Sequence, residues 1–161
     1  MDKIILTTTE PKLGSTSSEL AKCIIERIGL MPRKKGSTEY MYRTFIEFYE
    51  RSKKATAQKD PKLAVLTVDE MALFAKISRQ TMYEYLQRWL SIGFIQKVSF
   101  IGSDNKVTIG YKLAGSSLEE AFAKTQTIIQ KQLHKTQEYI SQLQKSLKNE
   151  KISASRQNNA E

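Results

Sequence analysis

The chain is poor in the residues that build most catalytic and metal sites. Its 161 residues contain one Cys and one His. Cys23 alone closes no internal disulfide, which fits a reducing compartment, and is read as a small buried hydrophobe beside the apolar stripe of a helix. Cys23 and His134 together fall short of the usual ligand count of a zinc site. A general base built on imidazole would have to be His134, which stands among Lys131, Gln132 and Lys135 with no Ser or carboxylate arranged around it. The expectation is therefore no catalytic residue, no metal and no cofactor, and not an enzyme. Seven Gly and three Pro exclude collagen-like and linker-dominated chains. Apolar runs such as Ile4 to Leu6 and Leu63 to Leu66 are far shorter than the about 18 residues that suggest a membrane span. The N-terminus lacks a basic stretch followed by an apolar core, so no signal peptide is expected. These absences predict a cytoplasmic, nucleoid-associated protein without a membrane partner.

What is present is an ordinary globular composition. Hydrophobic residues make up 40%, enough to bury a core and too many for wholesale disorder. Lys and Arg number 26 against 17 Asp and Glu, a net charge of +9, which points to an anionic partner, nucleic acid first. The excess is spread thinly along the chain, and Arg33-Lys34-Lys35 is its one short polybasic run.

Several helix starts are legible. The opening segment, MDKIILTTTE, is a short strand or a loose arm, and Pro11 and Gly14 mark a break. Thr16 with Glu19 has the form of a capping box, and Leu20, Ile24 and Ile28 follow at helical spacing, predicting a helix over 17–29. After the connector from Met31 to Ser37, with Ser37 as a cap, a helix over 38–54 places Met41, Phe45, Phe48 and Tyr42, Ile46, Tyr49 on adjoining stripes. A face that broad belongs in a core. Leu63 to Leu66 reads as a short strand.

Thr67 and Glu70 form a second capping box, with Leu66 and Met71 at the positions of a hydrophobic staple. A helix over 68–75 follows, and Ser78 is placed to cap another over 79–92. There Met82, Leu86, Trp89 and Leu90 share one stripe, and Arg79, Gln80, Tyr83, Glu84, Gln87 and Arg88 lie on the other side. Gly93 sits where a helix end takes a left-handed residue. Residues 94–101 and 107–113 read as a hairpin, with Val107, Ile109, Tyr111 and Leu113 on its half-buried face and Gly102 to Asn105 in its turn.

The last third reads as one helix. Ser117 and Glu120 give a third capping box, and the apolar stripe runs through Leu118, Phe122, Ile129, Leu133, Ile140, Leu143 and Leu147, with Thr125 and Thr136 between. Its mean spacing is near the about 3.6 residues of a straight helix rather than a strict heptad. At about 1.5 Å per residue the helix is about 50 Å long, too long to bury its stripe against a domain of this size, so a second copy is expected along it.

The stretch from Glu70 to Ile95, EMALFAKISRQTMYEYLQRWLSIGFI, resembles the helix-turn-helix pattern of winged-helix transcription regulators, the MarR-like and related bacterial and archaeal repressors. Ala72 matches the small residue at the helix crossing, Ser78-Arg79-Gln80-Thr81 the start of the recognition helix, and Gly93-Phe94-Ile95 the approach to the wing. The chain departs in the turn, with Lys76 where the pattern usually has Gly and Ala75 where it usually has Leu. The resemblance spans residues 63–113. It implies a mainly α fold with a small β-hairpin wing, a winged helix-turn-helix domain plus a long C-terminal dimerisation helix. The expected organisation is an arm over 1–14, the DNA-binding domain over 15–114, the dimerisation helix over 115–150 and a disordered tail over 151–161.

A helix fits the major groove with its N-terminal residues at base edges. Arg79 can pair bidentately with guanine and Gln80 with adenine, while Thr81 and Tyr83 can reach phosphate or a thymine methyl. Ser78 caps this helix, Gln87 shares its outer face, and Glu84 can read cytosine or repel phosphate. Lys76, Arg88, Lys97 and Lys106 are positioned for phosphates. The same polar face is also what an ordinary solvated helix would carry. The leading expectation is a homodimeric, sequence-specific binder of double-stranded DNA, a transcriptional regulator whose effector, if any, the sequence does not name. The alternatives are a plasmid or viral partition or replication protein using the same module, and a winged helix serving only protein–protein interaction.

Overall fold

A computed structural model describes residues 3–31 and 40–160. The predicted cap at Ser37, the start of the second helix at 38 and the basic run at 33–35 lie outside the described residues. The chain divides into two compact units, Met1–Thr125 and Gln126–Glu161.

In the first unit, helix α1 (Ser17–Arg27) opens on the predicted reciprocal cap: Glu19 N donates to Thr16 Oγ1 and Thr16 N donates to Glu19 Oε2. Its buried face is Ala21, Ile25 and Ile28, whereas Leu20 is exposed, so the face is turned by one residue from the predicted stripe. The arm before it is neither a strand nor loose. Thr7 N donates to Arg27 O at 2.9 Å, and Ile5 lies so close to Gly29 that a Cβ there would meet its carbonyl oxygen at 2.7 Å.

Helix α2 (Met41–Gln58) buries Met41, Thr44, Phe45 and Phe48, with Tyr42, Ile46 and Tyr49 half-buried. Thr44 donates to Met71 O at 2.9 Å, tying α2 to the next helix without leaving a buried hydroxyl unpaired. The expected strand at 63–66 is instead a 3-10 turn, Pro61–Ala64. Pro61 supplies a fixed φ at its first position and Asp60 caps it by accepting from Lys62 N. Only Leu66 pairs like a strand, exchanging two 2.8 Å backbone bonds with Tyr111.

Helix α3 (Val68–Ala75) starts where Thr67 Oγ1 accepts from Glu70 N. The second half of the predicted capping box is absent, because Glu70 turns to Arg51 of α2 at 2.7 Å. The full charge of the guanidinium attracts the carboxylate more strongly than the partial charge of a backbone amide does. Helix α4 (Arg79–Ser91) buries Met82, Leu86 and Trp89. Strands β1 (Ile95–Ile101) and β2 (Val107–Leu113) pair antiparallel from Ile95↔Leu113 to Ile101↔Val107. Only half of the predicted apolar face is buried: Tyr111 and Leu113 enter the core, while Ile109 and Val107, 71% exposed, do not.

The core centres on four aromatic rings. Phe45 and Phe94 stack at 5.4 Å, and Trp89 meets Phe45 and Phe94 edge-on at 6.4 Å each and Phe48 at 5.9 Å. Such pairs add about 0.5–1.5 kcal/mol each beyond area burial. Cys23 is buried, as expected.

Helix α5 runs from Leu118 to Asn158. Ala121 and Thr125 are fully buried, and Leu118 packs against the core of the first unit. In the second unit, Leu133, Ile140, Leu143 and Leu147 are exposed and Ile129 is half-exposed. Residues 151–158, expected to be a disordered tail, are helical; no Gly or Pro follows Gly115 to stop the helix. Among the described residues no helix is long and apolar enough to cross a membrane. The structure is thus mainly helical, with one two-stranded hairpin and a long C-terminal helix.

Candidate nucleic-acid interface

Three residues join α3 to α4, and each has a geometric task. Lys76 closes α3 in the left-handed region at φ 53, the conformation for which Gly is the usual solution. The turn geometry therefore survives the absence of Gly, at a backbone cost of about 1–2 kcal/mol. Ile77 N then returns to Ala72 O at 3.1 Å, and Ser78 caps α4 by accepting from Thr81 N at 3.1 Å. Ala72 and Ala75 are buried, and small residues there let α3 and α4 approach closely.

The cap engages two of the expected DNA-contacting side chains. Ser78 Oγ and Thr81 Oγ1 share a hydrogen bond of 2.7 Å, so both hydroxyls hold the helix start. The remaining face of α4 is open. Arg79, Gln80, Tyr83, Glu84 and Gln87 are exposed, and Arg88 in the last turn is half-buried. Positions 80, 84 and 87 form one helical row, with 79 and 83 beside it.

Arg79 is held rather than free. Its Nε lies 3.5 Å from Asp69 Oδ1, its NH2 donates to Tyr83 Oη at 3.4 Å, and its guanidinium sits 5.7 Å from the Tyr83 ring centroid. The hydrogen bond to Tyr83 and then the charge of Asp69 hold its pKa above the ordinary value. Lys76 is held too, with Nζ 4.3 Å from the Tyr40 ring centroid. Asp69 and Tyr40 carry no signal in sequence, because neither shares an element with the cation it holds.

The hairpin supplies the other two expected lysines. Lys97 is exposed on β1, opposite Tyr111. Lys106 is exposed in the turn, where its N donates to Asp104 Oδ1 and its carbonyl accepts from Gly102 N. Asn105 provides the left-handed residue of that turn, at φ 59. Burial, with Tyr83 as a second cause, raises the Tyr111 phenol above its usual range. At the far end of the hairpin Ile101 and Val107 form an exposed apolar pair.

Among the described residues no group of three or more His, Cys, Asp or Glu is placed to hold a metal ion. His134 lies on the second unit beside Glu138 at 3.3 Å, both well exposed. No family model, no curated protein and no solved structure matches the chain.

Proposed function

We propose that the chain is a sequence-specific double-stranded DNA-binding protein of the winged helix-turn-helix type, acting as a homodimeric transcriptional regulator. The observation that carries this reading is α4. One face is anchored by fully buried Met82, Leu86 and Trp89, while Arg79, Gln80, Tyr83, Glu84 and Gln87 stand on the opposite face with no core to pack against. A rigidly seated helix with hydrogen-bonding side chains at its N-terminal end suits major-groove readout. The hairpin that follows adds Lys97 and Lys106 for flanking phosphates, in the place of a wing.

The exposed row Leu133, Ile140, Leu143 and Leu147 supports a second copy as the occupant of α5. Apolar side chains repeated along one helix face are stabilised by burial against a like face, at about 25 cal/mol per Å² of apolar area removed from water. Two α4 helices would then address half-sites about one helical turn apart in a pseudo-palindromic operator.

Selection of bound sequences from a random duplex pool tests this directly. Enrichment of a two-fold symmetric motif is the expected outcome; a pool that stays random through successive rounds removes the sequence-specific reading. That result would favour a second reading, a protein-interaction module, to which the exposed apolar residues Ile101, Val107 and Ile109 of the hairpin also lend themselves.

A further inference from the structure

Two tyrosines at the start of α2 order three cations drawn from three different elements. Lys22 Nζ, on α1, lies 4.8 Å from the Tyr42 ring centroid. Arg43 Cζ lies 4.5 Å from the Tyr40 centroid, and Lys76 Nζ, from the turn between α3 and α4, lies 4.3 Å from that same centroid. Hydrogen bonding with Arg43 is also the foremost cause that lowers the Tyr42 phenol from its ordinary pKa. The ring contacts thus pair Lys22 with Tyr42, and both Arg43 and Lys76 with Tyr40.

All three cations are exposed and both tyrosines are half-buried. Among the described residues none of the three cations is in an ion pair, whereas Arg27, Arg51 and Arg79 each face a carboxylate. Like charges brought together repel one another, and attraction to the ring faces offsets that repulsion. Lys76 moreover occupies a left-handed position that Gly would fill without steric cost. Cations ordered in the free protein lose less side-chain freedom on meeting an anion than freely rotating ones do. Three cations carried by two tyrosines suit a partner with several anionic groups rather than a single small ion.

We propose that Lys22, Arg43 and Lys76, set in place by Tyr42 and Tyr40, form a phosphate-binding ridge that contacts the backbone of a bound DNA duplex. The ridge rests on the DNA-binding reading above and extends it to α1 and α2. Arg43 can take two phosphate oxygens at once, while Lys22 and Lys76 act as point charges. The two tyrosines are positioning residues. Contacts of this kind add affinity without sequence information.

The test uses the full chain and a duplex of fixed random sequence, with affinity followed from about 50 to about 200 mM salt. Each of K22A, R43A and K76G is expected to lower the slope of log affinity against log salt by about 0.9, so that each loses about 3.5-fold less affinity than wild type across that range. K59A, at the other end of α2, is expected to leave the slope unchanged. K76G also relaxes the backbone, so its melting temperature should rise while its binding falls, a pair of opposite signs that a purely structural role would not produce. Tyr40→Phe should keep the wild-type slope and Tyr40→Leu should reduce it. A folded triple variant with the wild-type slope overturns the ridge. Wild-type protein that binds no duplex at the lowest salt overturns the DNA-binding reading itself, and the ridge with it.

Discussion

Arg79, the first residue of α4, has its Nε 3.5 Å from Asp69 Oδ1 on α3. The two belong to different helices, and the tight turn at Lys76 and Ile77 brings them together. Both side chains are more than half exposed, so the pair contributes little to folding stability. Its effect is on the Arg79 guanidinium, whose orientation Asp69 and Tyr83 restrict.

If the proposed function holds, Asp69→Asn should release Arg79 and remove a negative charge from the proposed DNA-binding face. Affinity for random duplex is expected to rise and its salt slope to steepen, while the ratio of specific to non-specific affinity falls. Arg79→Ala should act differently, costing about 1–3 kcal/mol on the selected site and relaxing one base position. Lys106→Ala should weaken all duplexes alike. Titration of each variant against matched and random duplexes checks the division, and equal losses by Arg79→Ala on both would refute it.

Gly110 is where the hairpin meets the segment before α3. A Cβ at this position would lie 2.1 Å from Val65 Cγ1 and 3.1 Å from Leu66 O. Gly110→Ala should push the hairpin from the Leu66 bridge and cost about 1–3 kcal/mol, as overpacking does. Urea denaturation measures the loss; an unchanged midpoint would show that Val65 yields without cost.

Glu120 accepts from Ser116 N at 2.8 Å and from Ser116 Oγ at 2.6 Å. The side-chain bond and then the backbone bond lower its pKa from the ordinary 4.5, with Lys124 adding to the effect. A carboxyl depressed in the folded state contributes stability that is present above its unfolded pKa and is lost as pH falls through the folded value. Wild type should exceed Glu120→Gln in melting temperature at neutral pH, and the gap should narrow once pH drops below about 4.5. Thermal melts across an acid series read this, and a gap constant with pH would exclude the carboxylate as its source.

Ile140→Asp combined with Leu143→Asp places charge in the middle of the exposed row of α5. The double variant should sediment as a monomer with its first unit folded, and its affinity for a two-half-site duplex should fall toward that for one half-site. A wild-type protein already monomeric at micromolar concentration would place the dimer contact elsewhere or remove it.

Legibility in the sequence followed the range of the interaction. Thr16, Thr67, Ser78 and Ser117 were readable as helix starts because a cap is closed by atoms three residues away. The pattern Met82, Leu86, Trp89 marked the buried face of α4 because helical periodicity is itself local. The 3-10 turn at Pro61 was hidden by the apolar run Leu63 to Leu66, whose composition suits a strand although Asp60 and Pro61 favour a turn. The hairpin was placed rightly along the chain and its burial was half wrong, since burial depends on what the rest of the fold places over Ile109 and Val107. The second half of the Thr67 box failed because Arg51, far away in sequence, offers Glu70 a charged partner.

By itself the sequence determined a mainly helical protein with one hairpin and a long final helix, and singled out α4 as the helix with a polar face to spare. Caps, periodicity and turn residues act over a few positions and need no knowledge of the fold. Tertiary structure alone decided which charges keep company: Asp69 with Arg79, Arg51 with Glu70, and Lys22, Arg43 and Lys76 on two tyrosines. The +9 excess has no address until packing assigns one, because an electrostatic or cation–π contact depends on distance in space, which separation along the chain does not predict.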